Sequence, residues 1–140
     1  MADLTAYTPT TKDEFAQLAR DRKADFNLLR SQGQWTTSVY IGGYIVEARL
    51  KYKIFERLDV DNLPAIFKTH NLFALIIFAG LAKTLKACPA IEDSLLKINQ
   101  IHSDSAWRYK CHASNHQYDS DNLNHWLFDP KDGVMTWLGL

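Results

Sequence analysis

The sequence GGYIVEARLKYK, residues 42 to 53, decides the fold. Its apolar side chains recur at the three- and four-residue spacing of an α-helix, and they occur on two sides of that helix. Glu47 and Lys51 lie one turn apart with the acid first, the better order for an ion pair. Gly42 and Gly43 cost a helix roughly 1 kcal/mol each relative to alanine, so they predict a close helix crossing. We therefore expect a helix at the centre of a bundle.

Helical periodicity continues along the rest of the chain, and almost nothing alternates with the period of a β-strand. The predicted helices lie at roughly residues 12–32, 37–58, 69–86, 90–102 and 121–140, the last of them broken into two short pieces near Pro130. The predicted fold class is all-α, an up-and-down bundle of about five helices. Residues 1 to 140 are expected to form a single domain in which residues 1 to 11 are flexible.

The charge balance, the cysteine count and the longest apolar run of the chain argue against several classes of protein. The chain has 140 residues with 16 basic and 16 acidic side chains, so a general basic surface for nucleic acid is not expected. Any RNA contact would need a local cluster of cations. Cys88 and Cys111 are too few for a disulfide framework. The most apolar run, residues 72 to 85, is interrupted by Lys83 and is shorter than the ~20 residues that cross a bilayer. A cytoplasmic protein without membrane contact is expected.

Four short motifs follow one another in a fixed order. They are Gln32-Gly33-Gln34-Trp35, then Gly43-Tyr44 with Glu47 and Leu50-Lys51, then Thr69-His70-Asn71-Leu72, and finally Trp107-Arg108-Tyr109. Together they resemble the HEPN family of small all-helical nucleotide-binding and ribonuclease-type domains, over roughly residues 12 to 128. The resemblance implies a HEPN-like bundle that acts on nucleotides or RNA. It also suggests that His70 opens or caps the third helix.

The segment after the fourth predicted helix, residues 103 to 121, contains the candidate catalytic residues. HEPN ribonucleases carry an arginine, four to six intervening residues and a histidine, often with a tyrosine two positions later. His116 and Tyr118 match the second half, but Arg108 lies three intervening residues before His112 and seven before His116. The resemblance thus implies a variant motif, in which Arg108 acts with His112 or His116.

Arginine and histidine supply the two groups that metal-independent RNA cleavage requires. Histidine can remove the 2′-hydroxyl proton near neutral pH, and arginine can stabilise the charged phosphate. The resemblance therefore suggests a metal-independent ribonuclease of the toxin or defence type. In the alternative interpretation, Arg108 caps a helix or pairs with Asp104 and the histidines are solvated loop residues.

Further residues are expected to contact nucleotide or RNA. The resemblance implies that Glu47 and Lys51 project towards the groove that holds the catalytic segment or a ligand, although a plain surface ion pair would need no function. Tyr109, Lys110 and Tyr118 add rings for stacking on bases and a cation for phosphate. Aromatic residues at this density near the C-terminus of a bundle more often form core or dimer contacts than stack on bases.

Cys111, His112 and His116 are candidate metal ligands because they lie close together in sequence, with His102 and His125 nearby. The two histidines share a helix face if their segment is helical, which is zinc-like spacing. No further pair of ligands completes the set in sequence. We therefore predict no metal and no cofactor.

The two-sided second helix agrees with a homodimer, the assembly that the resemblance implies. RNA or a nucleotide, a nucleotidyltransferase and an antitoxin protein are the expected partners. The alternative function is a non-catalytic HEPN accessory bundle, for example the partner of a minimal nucleotidyltransferase. A purely structural oligomer is a third possibility.

Overall fold

The computed structural model of the protein describes residues 9 to 139, and over this range the chain is helical without any β-strand. Its α-helices are α1 (Lys12–Ser31), α2 (Trp35–Leu58), α3 (Leu72–Phe78), α4 (Ala82–Lys86), α5 (Pro89–His102), α6 (His116–Phe128) and α7 (Val134–Leu138). Short 3₁₀ turns occupy Ala65–Phe67 and Ser105–Arg108. The predicted all-α bundle is confirmed for the described residues. The expected flexibility of the N-terminus concerns mainly residues 1 to 8, which lie outside them.

The third predicted helix is two helices. Residues 69 to 86 contain α3 and α4, and the chain turns between them at Gly80, whose φ of 75° lies in the left-handed region. A right-handed helix cannot continue through that conformation, so the prediction of one helix was wrong there. The last segment is in two pieces as predicted, because α6 ends at Phe128 and α7 begins at Val134. However, α6 begins at His116, earlier than expected.

The apolar run at residues 72 to 85 is part of the core. Leu72, Leu75 and Ile76 of α3 are buried, and so is Leu85 of α4. Burial of this kind is the usual reason for such a run in a bundle. Within residues 9 to 139, no helix is both long enough and apolar enough to cross a membrane.

Helix α2 lies at the centre of the bundle, in contact with α1, α3, α5 and α6. The apolar side chains of α2 that are 0% exposed are Ile45, Val46, Leu50 and Ile54. Because apolar side chains occur on more than one side of α2, several helices pack against it at once. A polar side chain on the same helix, such as that of Glu47, is therefore carried into the interior.

The paired glycines mark two close contacts. A Cβ atom on Gly42 would collide with the side chain of Leu123 in α6, and one on Gly43 would collide with the ring of His102 at the end of α5. The predicted close helix crossing is confirmed. The absence of a side chain at Gly43 brings the His102 imidazole against the backbone of α2, one turn before Glu47.

Candidate active site

The buried carboxylate of Glu47 lies at the centre of a polar cluster, and its side chain is only 10% exposed. Its Oε1 accepts hydrogen bonds from Nδ1 of His70 at 2.7 Å and from Nε2 of His102 at 2.9 Å. Its Oε2 accepts one from Nζ of Lys51 at 3.1 Å. An ionised carboxylate only accepts, so these two ring nitrogens carry protons. We call these four residues the Glu47 cluster.

The pKa of Glu47 is lowered by its neighbours. Burial on its own raises the pKa of this carboxyl group, but the His102 hydrogen bond, the Lys51 charge and the His70 hydrogen bond together outweigh burial. The result is a fall in the pKa from 4.5 to about 2. Glu47 is therefore ionised near neutral pH and holds both imidazoles in a fixed tautomer.

The two imidazoles of the cluster differ in exposure. The His102 side chain is 2% exposed, and its ring makes an edge contact with the Tyr44 ring at 4.6 Å between centroids. The His70 side chain is 63% exposed, although Glu47 holds its Nδ1. In a neutral ring whose Nδ1 donates, Nε2 has a free lone pair. His70 can therefore take a proton from another molecule, which is the arrangement of a carboxylate-oriented general base.

The two histidines of the cluster lie at a cavity of about 410 Å³, which we call the histidine cavity. His70, His102 and Tyr44 contribute to its lining, together with Trp107 and Arg108. Arg108 is the last residue of the 3₁₀ turn that follows α5, and it is exposed. The cavity therefore brings an arginine and an oriented imidazole to one concave surface, although the two residues are 38 positions apart in sequence.

The hydroxyl of Tyr44 keeps its proton near neutral pH. Burial and then the neighbouring Tyr40 raise the pKa of Tyr44, and the Arg108 guanidinium beside it offsets that rise only in part. Tyr44 can consequently donate a hydrogen bond within the cavity. Its contact with Arg108 also links α2 to the turn after α5.

A second cavity, of about 590 Å³, lies on the other side of Tyr40, Tyr44 and His70, which line both cavities. Glu47 and Lys51 contribute to its lining, as do several apolar side chains of α1 and α2. Three cations lie around it, namely Lys51, Arg22 and Lys68. Lys51 is buried and paired with Glu47, Arg22 is paired with Asp25, and Lys68 is exposed.

The other predicted catalytic residues lie elsewhere. His116 is the first residue of α6, where its Nδ1 is 2.8 Å from Oγ1 of Thr36 and its ring packs against Trp107. His112 lines a separate concave surface next to Trp35. Arg108 lines the histidine cavity, but neither His112 nor His116 does. A catalytic role for Arg108 with His112 or His116 remains a prediction.

The predicted RNA-contacting residues near the C-terminus are on the surface. Tyr109 and Tyr118 are both exposed, and Nζ of Lys110 lies 3.7 Å from the centroid of the Trp107 ring. None of the three lines either cavity. Their proposed contact with RNA stays a prediction.

Sequence reasoning missed His70 and His102 as partners of Glu47. The expectation that His70 caps the third helix was wrong, because Asn71 is the cap and its Oδ1 accepts from the backbone N–H groups of Phe73 and Ala74. The available signal was Gly43, since a glycine in a buried helix indicates that another group approaches closely. It did not reveal which group.

The Glu47 cluster also contains a set of side chains that could hold a metal ion. One ligand atom each of Glu47, His70 and His102 lies within 4.8 Å of the others. The candidate ligands Cys111, His112 and His116 are not assembled into such a group in the described part of the chain, where Cys111 is exposed and His116 bonds Thr36.

No known protein-family model, curated protein or solved structure matches this chain. Fold and site define it as an all-α helical bundle with a carboxylate–imidazole cluster whose two histidines lie at a cavity. The resemblance to HEPN domains thus depends on the sequence motifs.

Proposed function

We propose that the chain is a HEPN-like, RNA-directed protein whose histidine cavity cleaves RNA without a metal ion. In this proposal His70 is the general base and Arg108 stabilises charge on the phosphate. The observation that carries it is the 2.7 Å hydrogen bond between Nδ1 of His70 and Glu47, which leaves Nε2 free beside the cavity that Arg108 lines.

The proposed reaction is an internal transfer of the phosphodiester. Nε2 of His70 takes the proton of a ribose 2′-hydroxyl, and the 2′-oxygen attacks the adjacent phosphorus. The bond from phosphorus to the 5′-oxygen breaks, and that oxygen takes a proton from solvent. The products are a 2′,3′-cyclic phosphate and a strand with a 5′-hydroxyl. Glu47 stabilises the imidazolium that forms on His70.

The charges around the site support a phosphate substrate. Arg108 presents a planar set of donors that matches phosphate oxygens. The exposed cation Lys68 lies at the adjoining cavity and can attract a negative ligand, whereas Lys51 and Arg22 there are paired with Glu47 and Asp25. Tyr40, half-buried in the lining, offers a ring on which a base can stack.

The test is cleavage of a short RNA by purified protein in EDTA. We expect products that end in a 2′,3′-cyclic phosphate and no cleavage at a 2′-deoxy position. His70→Ala and Arg108→Ala should each lower the rate by about 100-fold or more. His125→Ala, which changes an exposed histidine of α6 outside the cavity, should cleave normally. Intact RNA after incubation with the folded wild-type protein would reject the proposal.

The same assay separates two versions of the active site. If His112→Ala or His116→Ala abolishes cleavage while His70→Ala retains it, the sequence-motif version is correct. If His70→Ala abolishes cleavage and the other two variants retain it, the histidine cavity is the active site. Melting temperatures of all variants are measured beside the rates, because His116 also has a structural contact with Thr36.

A second candidate function is a HEPN accessory bundle that binds another protein, such as a nucleotidyltransferase, or a second copy of itself. The observation that favours it is the exposure of large apolar side chains, 71% for Ile66 and 61% for Ile77. Light scattering of the purified chain tests for a homodimer. Copurification of an encoded neighbouring nucleotidyltransferase tests for the accessory role.

A further inference from the structure

We infer that Glu47, His70 and His102 form a binding site for a divalent transition-metal ion of the zinc class. The ion would take the place of the two hydrogen bonds that Oε1 of Glu47 now accepts. One carboxylate oxygen and two imidazole nitrogens form a donor set that suits zinc, cobalt and iron(II) better than it suits calcium or magnesium.

The distances between donor atoms fit an ion after a small adjustment. The two nitrogen-to-oxygen distances are 2.7 and 2.9 Å, and the three donor atoms lie within 4.8 Å of one another. Ligands at tetrahedral positions around zinc are about 3.3 Å apart. The two nitrogen–oxygen pairs must therefore separate by only about half an ångström, whereas the two imidazole nitrogens need only stay within the 4.8 Å that the three donors span. The histidine cavity provides room for a water molecule as the fourth ligand.

The three donors come from different parts of the fold, and two of them are held firmly. Glu47 is in the middle of the central helix α2, and the His102 ring is enclosed by Gly43 and Tyr44. His70 precedes α3 and is mostly exposed, so its ring can move towards an ion. Two buried ligands and one adjustable ligand allow an ion to enter from the cavity.

The surroundings of Glu47 resemble the outer shell of a metal site. Nζ of Lys51 holds Oε2 at 3.1 Å, so the carboxylate is oriented with Oε1 towards both imidazoles. Hydrogen bonds to the second oxygen of a ligating carboxylate orient it in this way. The positive charge of Lys51 also weakens metal binding, and for this reason we expect moderate affinity and reversible occupancy.

Metal binding would switch off the proposed base, and this consequence, unlike the site itself, rests on the proposed function. When an ion occupies Nδ1 of His70, the ring proton of the neutral imidazole resides on Nε2. That nitrogen can then no longer accept the proton of a 2′-hydroxyl. The Glu47 cluster would thus exist in a proton-bonded, active state and a metal-bound, inactive state.

The test is titration of the full-length, metal-free protein with Co²⁺ and Zn²⁺. Calorimetry should give one Zn²⁺ per chain, and Co²⁺ should develop visible absorption bands that Zn²⁺ abolishes. His70→Ala should weaken binding at least about tenfold, and Glu47→Gln should do the same without changing side-chain volume. His112→Ala and His125→Ala should bind as wild type. Absence of binding, or equal binding by His70→Ala, would overturn the inference.

Rates of RNA cleavage measured in EDTA and with added Zn²⁺ separate the two proposals. Cleavage in EDTA by a protein that binds no Zn²⁺ rejects the metal site alone. Zn²⁺ binding by a protein that leaves RNA intact rejects the ribonuclease alone. Inhibition of the wild type with the same midpoint as Zn²⁺ binding supports the switch, and full activity at saturating Zn²⁺ overturns it.

Discussion

The imidazole of His102 occupies the space that a side chain at Gly43 would fill. The ring is held there on one side by the backbone of α2 and on the other by its 2.9 Å hydrogen bond to Glu47. Gly43 thus makes room for the buried His102 ring, and that ring in turn bonds the carboxylate of Glu47. This relationship determines where the candidate site forms.

We expect Gly43→Ala to displace His102 and to destabilise the fold. The added methyl group collides with the ring and Cβ of His102, whose buried side chain is held by its hydrogen bond to Glu47. Overpacking of this kind costs about 1 to 3 kcal/mol, against which the better helix propensity of alanine returns about 1. The free energy of unfolding in urea and the NMR chemical shifts of the His102 ring measure the two effects.

Gly42→Ala is the matched control for that variant. Its methyl group meets the side chain of Leu123 rather than His102. Stability should fall, but the His102 ring should keep its chemical shifts and its hydrogen bond. Equal changes of the His102 signals in both variants would contradict the role assigned to Gly43.

Glu47→Gln should be among the most destabilising substitutions in the chain. It leaves the buried ammonium of Lys51, whose side chain is 8% exposed, without a counter-charge. Removing one partner of a buried ion pair costs about 3 to 5 kcal/mol. Urea denaturation measures the loss. The double variant Glu47→Gln with Lys51→Met should recover part of it, whereas a further loss in the double variant would argue against a coupled pair.

The sequence predicted α1 and α2 to within two residues at each end because helical periodicity is a local property. The division of residues 69 to 86 into α3 and α4 was not predicted. It depends on the left-handed conformation of Gly80, and an isolated glycine in an apolar run is also compatible with a continuous helix. Helical periodicity showed which segments are helical. It was least informative at Gly80, where the conformation of one residue decides whether a helix ends.

The site was harder to predict than the helices because its members are distant in sequence. His70 is 23 residues from Glu47 and His102 is 55 residues from it. Motif reasoning searches for partners at short spacing, and it therefore grouped Arg108 with His112 and His116. The packing of α5 and of the residues before α3 against α2 brings the other two histidines together, and that packing is not encoded in any local pattern.

Stability should fall in acid because the pKa of Glu47 is lower in the folded protein than in the unfolded chain. Its value falls from 4.5 to about 2, so its contribution is fully present above pH 4.5 and is lost as the pH falls towards 2. The shift corresponds to about 3 kcal/mol. Urea denaturation between pH 6 and pH 2 measures the loss, roughly within the window that the two pKa values define. Glu47→Gln should show a flatter dependence over the same range, and an equally steep one would contradict the assignment to this carboxyl group.

Lys51→Met should tighten metal binding although it removes a residue of the Glu47 cluster. The ammonium group lies 3.1 Å from Oε2 of the carboxylate, so its charge repels a cation bound at Oε1. Methionine keeps most of the buried volume and removes the charge. We expect Zn²⁺ to bind roughly tenfold more tightly by calorimetry, because solvent screens part of the like-charge repulsion.

Lys53→Met is the control. It removes a charge from the same helix at a residue that pairs with Glu56 instead, and it should leave the affinity for Zn²⁺ unchanged. Weaker binding by Lys51→Met would mean that the orientation of Glu47 by Lys51 outweighs the repulsion between Lys51 and the ion. Equal tightening in both variants would point to a general field effect.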